Sequence, residues 1–388
     1  MTPPTTGARA VQLRPETQRL RREVRDFLAE ERAAGTVMGR PDSWLTGWDP
    51  GFTRRLAERG WVGMALPKEY GGGGRGNLER YVVIEELLAA GAPVSAHWVA
   101  DRQAGPSILR HGTEEQRRRF LPRIAAGRCF FSIGMSEQHA GSDLAAVRTR
   151  AERTDDGWRL TGTKTWTGGA HLNDYAIVLA RTDDESGDRH AGLSQFIVGL
   201  RDPRVRIEPI RLLSGEHTFN YFHLEGVELG ADALLGRPGD GWRQVTGELA
   251  LERSGPERFL STVPLLTALV EQLRRGACTP EQHTRVGRLT ARLSSIRQLS
   301  LGVAAALEAG RPADVQAALV KDLGTRFEGE LVNEVREILP TAARTDTTKG
   351  SYPELLATAI LHSPGYTLRG GTNEILRGII TRGLELPS

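Results

Sequence analysis

The sequence predicts an α+β multidomain chain: an N-terminal α-helical domain, a middle β-barrel or sandwich domain, and a C-terminal four-helix-type bundle. Three observations lead there. The apolar period is helical at first, becomes two near residue 128, and is helical again after residue 236. At 388 residues the chain exceeds one ordinary domain. Capping and turn chemistry punctuates the switches. The expected divisions are a leader over 1–14, helical 15–127, β 128–235 and helical 236–388.

In the first helical part, Leu20, Val24, Phe27 and Leu28 recur at one-face spacing amid Arg and Glu. Trp61 to Pro67 reads as an irregular connection. Tyr70-Gly71-Gly72-Gly73-Gly74-Arg75-Gly76 lacks the preceding strand and the Lys-Ser/Thr of a phosphate loop, so it reads as an interhelical loop. Leu78 to Ala90 is a second helix. Its adjacent Glu85 and Glu86 point about 100° apart, so spacing alone does not make them a catalytic pair. Thr113-Glu114-Glu115-Gln116 is a capping box opening a helix to about Ala126.

From Cys129 to about Leu229 the pattern is extended. Asp155-Asp156-Gly157 is hairpin chemistry ahead of a strand over Trp158 to Trp166. Tyr175 to Arg181, Ser194 to Leu200, Val205 to Leu212 and Phe219 to Leu229 follow. His217 and His223 share a strand face, but no third ligand suggests a zinc site. After Gly241, Trp242 to Leu273, Pro280 to Ala309 and Pro312 to Ile338 each read as a bundle helix. Ala343 to Tyr352 is a polar loop, Glu354 to His362 a short helix, Ser363-Pro364-Gly365 a break, and Thr372 to Gly383 the closing helix.

Composition narrows the function classes. No apolar run approaches the roughly 18 residues of a membrane span. The first ten residues carry no apolar signal-peptide region. Two cysteines make neither a disulfide framework nor a four-cysteine zinc site, and a reducing, cytoplasmic setting fits them. Net charge is +3, and Arg117-Arg118-Arg119 stands without aromatic interleaving, as a solvated helix face does.

The informative stretch is Phe131 to Ala151. A short apolar strand breaks into Ala140-Gly141-Ser142-Asp143 and resumes extended. Glycine lets a ligand approach the main chain, and Ser142 can hydrogen-bond to it. The plain alternative is a hairpin with a polar connection.

Set in this order of domains, the stretch resembles the acyl-CoA dehydrogenase family of flavoenzymes. Gly134-Met135-Ser136-Glu137 with Ala140-Gly141-Ser142-Asp143-Leu144 is similar to the family's first signature. Gly162-Thr163-Lys164-Thr165-Trp166-Thr167 is similar to the strand that follows it. Gly370-Gly371-Thr372-Asn373-Glu374-Ile375-Leu376-Arg377 is similar to the C-terminal signature. Tyr70-Gly71-Gly72 and Gly112 to Gln116 also have counterparts, so the likeness spans nearly the whole chain. It implies FAD, a homodimer or homotetramer, and oxidation of an acyl thioester, on CoA or an acyl carrier protein, to its 2,3-enoyl form. An electron-transfer flavoprotein or similar acceptor would take the electrons.

The resemblance also implies roles. Ile133, Met135 and Ser136 match positions that bond the isoalloxazine through main-chain groups. Trp166, Thr167 and Gly168 match the segment flanking flavin N5, and an indole supplies a large apolar face there. For Trp166 the plain alternative is a core residue between strands. Thr372 and Glu374 fall in the C-terminal cofactor signature. Ser142 matches a contact to the pantetheine arm, and Arg253 and Gly371 match substrate-lining positions. Many members place a glutamate base where this chain has Gly370; others carry it where this chain has Glu252. Glu252 is therefore the expected base, unless it is a surface glutamate paired with an arginine. Gly370 can still offer its backbone N–H to the thioester carbonyl.

Two departures stand out. Gly168 lies where many members have a Thr or Ser hydroxyl. The usual segments for the FAD pyrophosphate and adenine are not recognisable in Leu273 to Arg285 or Leu339 to Gly350. Two competing readings follow: a flavin oxidase or monooxygenase on the same fold, and a non-catalytic subunit of a heteromeric acyl-CoA dehydrogenase.

Overall fold

The computed structural model describes residues 11–182, 188–252, 255–340 and 348–384, with 248–252 described by backbone alone. Contacts divide the chain into two compact units. One takes Ser43–Arg75 and Pro93–Glu252; the other takes the remainder.

Among its described residues the first unit holds eight strands: β1 Phe131–Gly134, β2 Arg150–Arg153, β3 Gly157–Gly168, β4 Tyr175–Arg181, β5 Leu193–Gly199, β6 Val205–Arg211, β7 His217–Gly230 and β8 Leu234–Leu235. They form one mixed sheet ordered β6-β7-β3-β2-β4-β5-β8, with β1 parallel to β4. The Asp155-Asp156-Gly157 turn closes the antiparallel β2–β3 hairpin as its sequence requires, and Thr154 N–H donates to the Gly157 carbonyl at 3.0 Å. Ala176 to Ala180 are all buried, because β4 is covered on both faces. On one of them, Phe120, Leu121 and Ile124 of helix Glu114–Ala125 pack with Phe131, Ile177 and Ile197. Phe131 stacks on Tyr175 at 5.5 Å, and Phe120 meets that pair edge-on. The Thr113 capping box forms in full: Thr113 Oγ1 accepts Gln116 N–H at 3.2 Å, and Gln116 Oε1 accepts Thr113 N–H at 3.0 Å.

The second unit is helical: Pro15–Ala33, Asn77–Ala89, Val263–Arg275, Pro280–Glu308, Asp314–Ile338, Tyr352–His362 and Asn373–Gly383. Glu85 and Glu86 are consumed by ion pairs. Glu85 takes Arg21 at 2.7 Å and Arg297, and Glu86 takes Arg21 at 3.0 Å and Arg25 at 2.7 Å.

One expected helix is corrected. Trp242 to Leu273 is two helices, Gly241–Glu252 and Val263–Arg275, separated by a short 3₁₀ turn at Pro256–Arg258. Pro256 has no N–H to continue a ladder and pushes Gly255 to an extended ψ of 161°. Among the described residues no helix is long and apolar enough to cross a membrane.

Candidate active site

Beyond β1 the chain leaves the sheet, and Lys164 of β3 catches it. Lys164 is fully buried, and its Nζ donates to the Met135 carbonyl at 3.1 Å and to Glu137 Oε1 at 2.7 Å. Thr165 N–H donates to the Ser136 carbonyl at 2.8 Å. Glu137 also accepts from Arg148 N–H at 2.7 Å, Thr149 N–H at 2.9 Å and Thr149 Oγ1 at 2.6 Å. Burial pushes the Glu137 carboxyl up, but Lys164 and these donors outweigh it and leave its pKa below the ordinary value. Ile133, Met135 and Ser136 are all half-buried, and the Met135 and Ser136 carbonyls are tied down from β3 while Ile133 pairs with β4.

On β3 the register against β7 shifts between Lys164 and Thr167, which makes a bulge at Thr165 and Trp166. Trp166 takes φ +57, a left-handed conformation that costs a bulky residue about 1–2 kcal/mol. The bulge turns its indole outward, 56% exposed, with its edge held by Phe219 at 5.8 Å. Exposure on that scale rules out the core alternative for Trp166. The next two carbonyls are pinned: Asn220 Nδ2 donates to Thr167 at 2.9 Å, and Ser132 Oγ to Gly168 at 2.8 Å. Thr167 Oγ1 is buried and has no hydrogen-bond partner. The bulge thus presents a strained, exposed aromatic face on a frame whose carbonyls are fixed, while the Thr167 hydroxyl lies buried behind it.

The remaining expected residues are less constrained. Ser142 is exposed in the turn after Ala140, and its neighbour Asp143 is bound through both oxygens to Arg189 at 2.6 and 2.7 Å. Glu252 closes the described part of helix Gly241–Glu252, and the next helix begins only at Val263, so it does not lie within one helix running to Leu273. Its side chain, and Arg253 altogether, lie outside the described residues.

In the helical unit, Gly370 and Gly371 have φ +66 and +90, so both need the freedom of glycine. The Arg258 guanidinium, itself buried, packs on Gly370: a Cβ built there would stand 2.8 to 3.0 Å from its atoms. Arg369 holds Asp42 with 2.7 Å contacts to both oxygens. Thr372 precedes helix Asn373–Gly383 without capping it through its side chain. Glu374 is exposed in the first turn, and the free N–H at the helix start, with the Thr372 hydroxyl, lowers its pKa.

The fold therefore joins Ile133, Met135 and Ser136 to Trp166, Thr167 and Gly168 in one ledge, and gathers Gly370, Gly371, Thr372 and Glu374 in one turn. Sequence reasoning missed the supports: Lys164, Glu137, Asn220, Ser132 and Arg258. For Lys164 a signal existed, since a lysine interrupting a strand at an inward position needs a buried partner.

Comparison with known proteins places this geometry. Models described as the N-terminal, middle and C-terminal domains of acyl-CoA dehydrogenase match residues 14–128, 132–227 and 239–385. Acyl-CoA dehydrogenase IpdE1 of Mycobacterium tuberculosis (strain ATCC 25618 / H37Rv) is 34% identical over 96% of this chain and 98% of that protein. The chain belongs to the acyl-CoA dehydrogenase family. Among solved structures, the Tcur3481-Tcur3483 steroid ACAD superposes with a TM-score of 0.87 at 28% identity, over 97% of this chain and 99% of that one. The ChsE4-ChsE5 complex from Mycobacterium tuberculosis gives 0.83 at 28%, over 98% and 100%. The protein is accordingly a flavin-dependent oxidoreductase acting on CH–CH groups. The ledge of this acyl-CoA dehydrogenase fits a flavin. An exposed indole offers a flat apolar face, and the main chain fixed beside it offers a polar edge.

Proposed function

We propose that this acyl-CoA dehydrogenase binds FAD and oxidises an acyl thioester, on CoA or an acyl carrier protein, to its 2,3-enoyl form. The observation that carries the reading is the outward, left-handed Trp166 on a bulge cross-tied to Met135 and Ser136. Ile133, Met135 and Ser136 would hold the cofactor ring through main-chain groups, with Trp166, Thr167 and Gly168 flanking it and Thr372 and Glu374 contributing from the C-terminal signature. The flavin supplies a hydride acceptor for the β-hydrogen. Glu252 takes the α-proton, and the Gly370 N–H donates to the thioester carbonyl, stabilising the charge that develops there. Ser142 contacts the pantetheine arm, and Arg253 and Gly371 line the substrate. An electron-transfer flavoprotein is the expected acceptor. A second, related chain is a candidate partner, as the two-chain ChsE4-ChsE5 neighbour suggests; a homodimer or homotetramer is the alternative assembly.

Replacing the base tests this. Glu252→Gln should keep the bound flavin and slow its anaerobic reduction by acyl-CoA about 100- to 10,000-fold, followed as bleaching of the yellow absorbance. Bleaching at the wild-type rate would remove Glu252 from the mechanism. A wild-type protein that carries flavin no thioester bleaches would point to a non-catalytic subunit.

A further inference from the structure

One side chain brackets the Gly370–Gly371 turn. Lys321, on helix Asp314–Ile338, is completely buried. Its Nζ donates to the Thr367 carbonyl at 3.1 Å, before the turn, and to Asn373 Oδ1 at 2.6 Å, after it. Thr325, one helical turn on, brings its hydroxyl within 3.2 Å of the same Asn373 oxygen and 2.8 Å of the Lys321 carbonyl. Arg369, within the bracketed segment, is anchored on Asp42, and Arg258 covers one side of Gly370. Two consecutive left-handed glycines are the least self-determined backbone a chain can have. The direction of the Gly370 N–H is therefore set by what grips the residues on either side.

We infer that Lys321 is a positioning residue: by tying Thr367 to Asn373 it aims the Gly370 N–H at the thioester carbonyl. The inference rests on the proposed role of Gly370. A purely structural brace needs no ammonium here. Burial, with Arg258 and Arg369 adding positive charge, lowers the Lys321 pKa to about 7, and a well-packed apolar side chain would avoid that penalty. What an apolar side chain cannot do is hold a carbonyl and an amide oxygen at once.

The test isolates the carbonyl contact. Two CoA derivatives without an α-hydrogen serve as probes: 2,2-dimethylbutanoyl-CoA, and the thioether S-(2,2-dimethylbutyl)-CoA, which lacks the carbonyl oxygen. Their dissociation constants are measured on the flavin-loaded protein. The wild type should prefer the thioester by about tenfold, the worth of one well-aimed hydrogen bond. Lys321→Met should bring the ratio near one while leaving thioether affinity unchanged. A wild-type ratio of one would overturn the Gly370 reading, and the inference with it. A wild-type preference that survives in Lys321→Met would overturn the inference alone. Should Lys321→Met fail to accumulate as folded protein, Asn373→Ala asks the same question from the acceptor side, with the same two outcomes.

Discussion

Lys164 and Lys321 are both fully buried, each within its own unit, and each reaches a main-chain carbonyl beside a segment of the proposed site. Their second acceptors differ. Lys164 meets the Glu137 carboxylate, and Lys321 meets the Asn373 amide oxygen. Burial lowers both pKa values. For Lys164 the carboxylate offsets part of the cost and the value stays at about 8. For Lys321 the neighbouring guanidinium groups of Arg258 and Arg369 add to it, and the value falls to about 7. The ledge is thus braced by a neutralised pair that keeps its charge near neutral pH. The glycine turn is braced by a cation close to its titration point. The first arrangement joins opposite charges; the second joins a lysine to two neutral acceptors, the Thr367 carbonyl and the Asn373 amide oxygen.

Breaking the pair should produce the largest effect. Glu137→Ala leaves the Lys164 ammonium buried without its counter-ion and deprives Arg148 and Thr149 of their acceptor. The expected loss is about 3–5 kcal/mol, read from the shift of a urea unfolding midpoint. Adding Lys164→Met should recover part of it, since the stranded charge is gone. A double variant no more stable than the single would mean that the cost is packing, and the contrast between the two lysines would lose its electrostatic basis.

The pH dependence of stability should separate the lysines next. A buried lysine with a depressed pKa binds its proton more weakly folded than unfolded. Stability therefore rises with pH between the folded value, about 7 for Lys321, and the ordinary value of 10.5. The rise attributable to Lys321 should be on the order of a few kcal/mol. Subtracting the Lys321→Met profile from the wild-type profile isolates it from other alkaline titrations. For Lys164 the window narrows to about 8 to 10.5. Glu137 has the same sign in the acid range: its depressed pKa contributes stability that is full above the ordinary carboxyl value and is lost as acid protonates it. Parallel profiles for wild type and Lys321→Met would show that the ammonium is not paying a burial penalty.

The turn itself supplies a smaller effect. Gly370→Ala must take up both φ +66 and the close approach of Arg258, and about 1–3 kcal/mol is expected. Gly371→Ala, at φ +90 with open space around its Cβ, faces backbone strain alone and should cost less, about 1 kcal/mol. Equal losses in thermal unfolding would mean that Arg258 yields readily and does not define the turn.

How much of this was legible beforehand follows from range. Local chemistry was readable: the Thr113 capping box, the Asp155-Asp156-Gly157 hairpin and the Tyr175–Arg181 strand formed as their residues dictate. The site segments were readable as motifs because they are contiguous. What holds them was not, because each support comes from far along the chain. Lys164 reaches back to Met135, Asn220 to Thr167 and Lys321 forward to Asn373, and no periodicity encodes such pairings. The bulge that exposes Trp166 arises from register between β3 and β7, a property of two strands together. The break at Pro256 was in plain view, yet the apolar run on both sides concealed it.

Gly168 gives the mildest change and bears on the ledge most directly. It lies where many family members carry a hydroxyl, next to the Thr167 hydroxyl that has no partner. Its backbone is not left-handed, and a Cβ there would meet only the Phe219 ring, at 3.7 and 3.9 Å, which is ordinary contact. Gly168→Ser should therefore fold within about 0.5 kcal/mol of wild type. If the ledge holds the flavin as proposed, the added donor should raise the rate of anaerobic flavin reduction by acyl-CoA and lower the rate at which oxygen reoxidises it. The two rates distinguish the readings. A wild type whose reduced flavin reacts faster with oxygen than with an electron-transfer flavoprotein, and a serine variant that reverses the order, would assign the missing hydroxyl to oxidase chemistry. Identical rates in both proteins would place Gly168 away from the reacting edge of the cofactor.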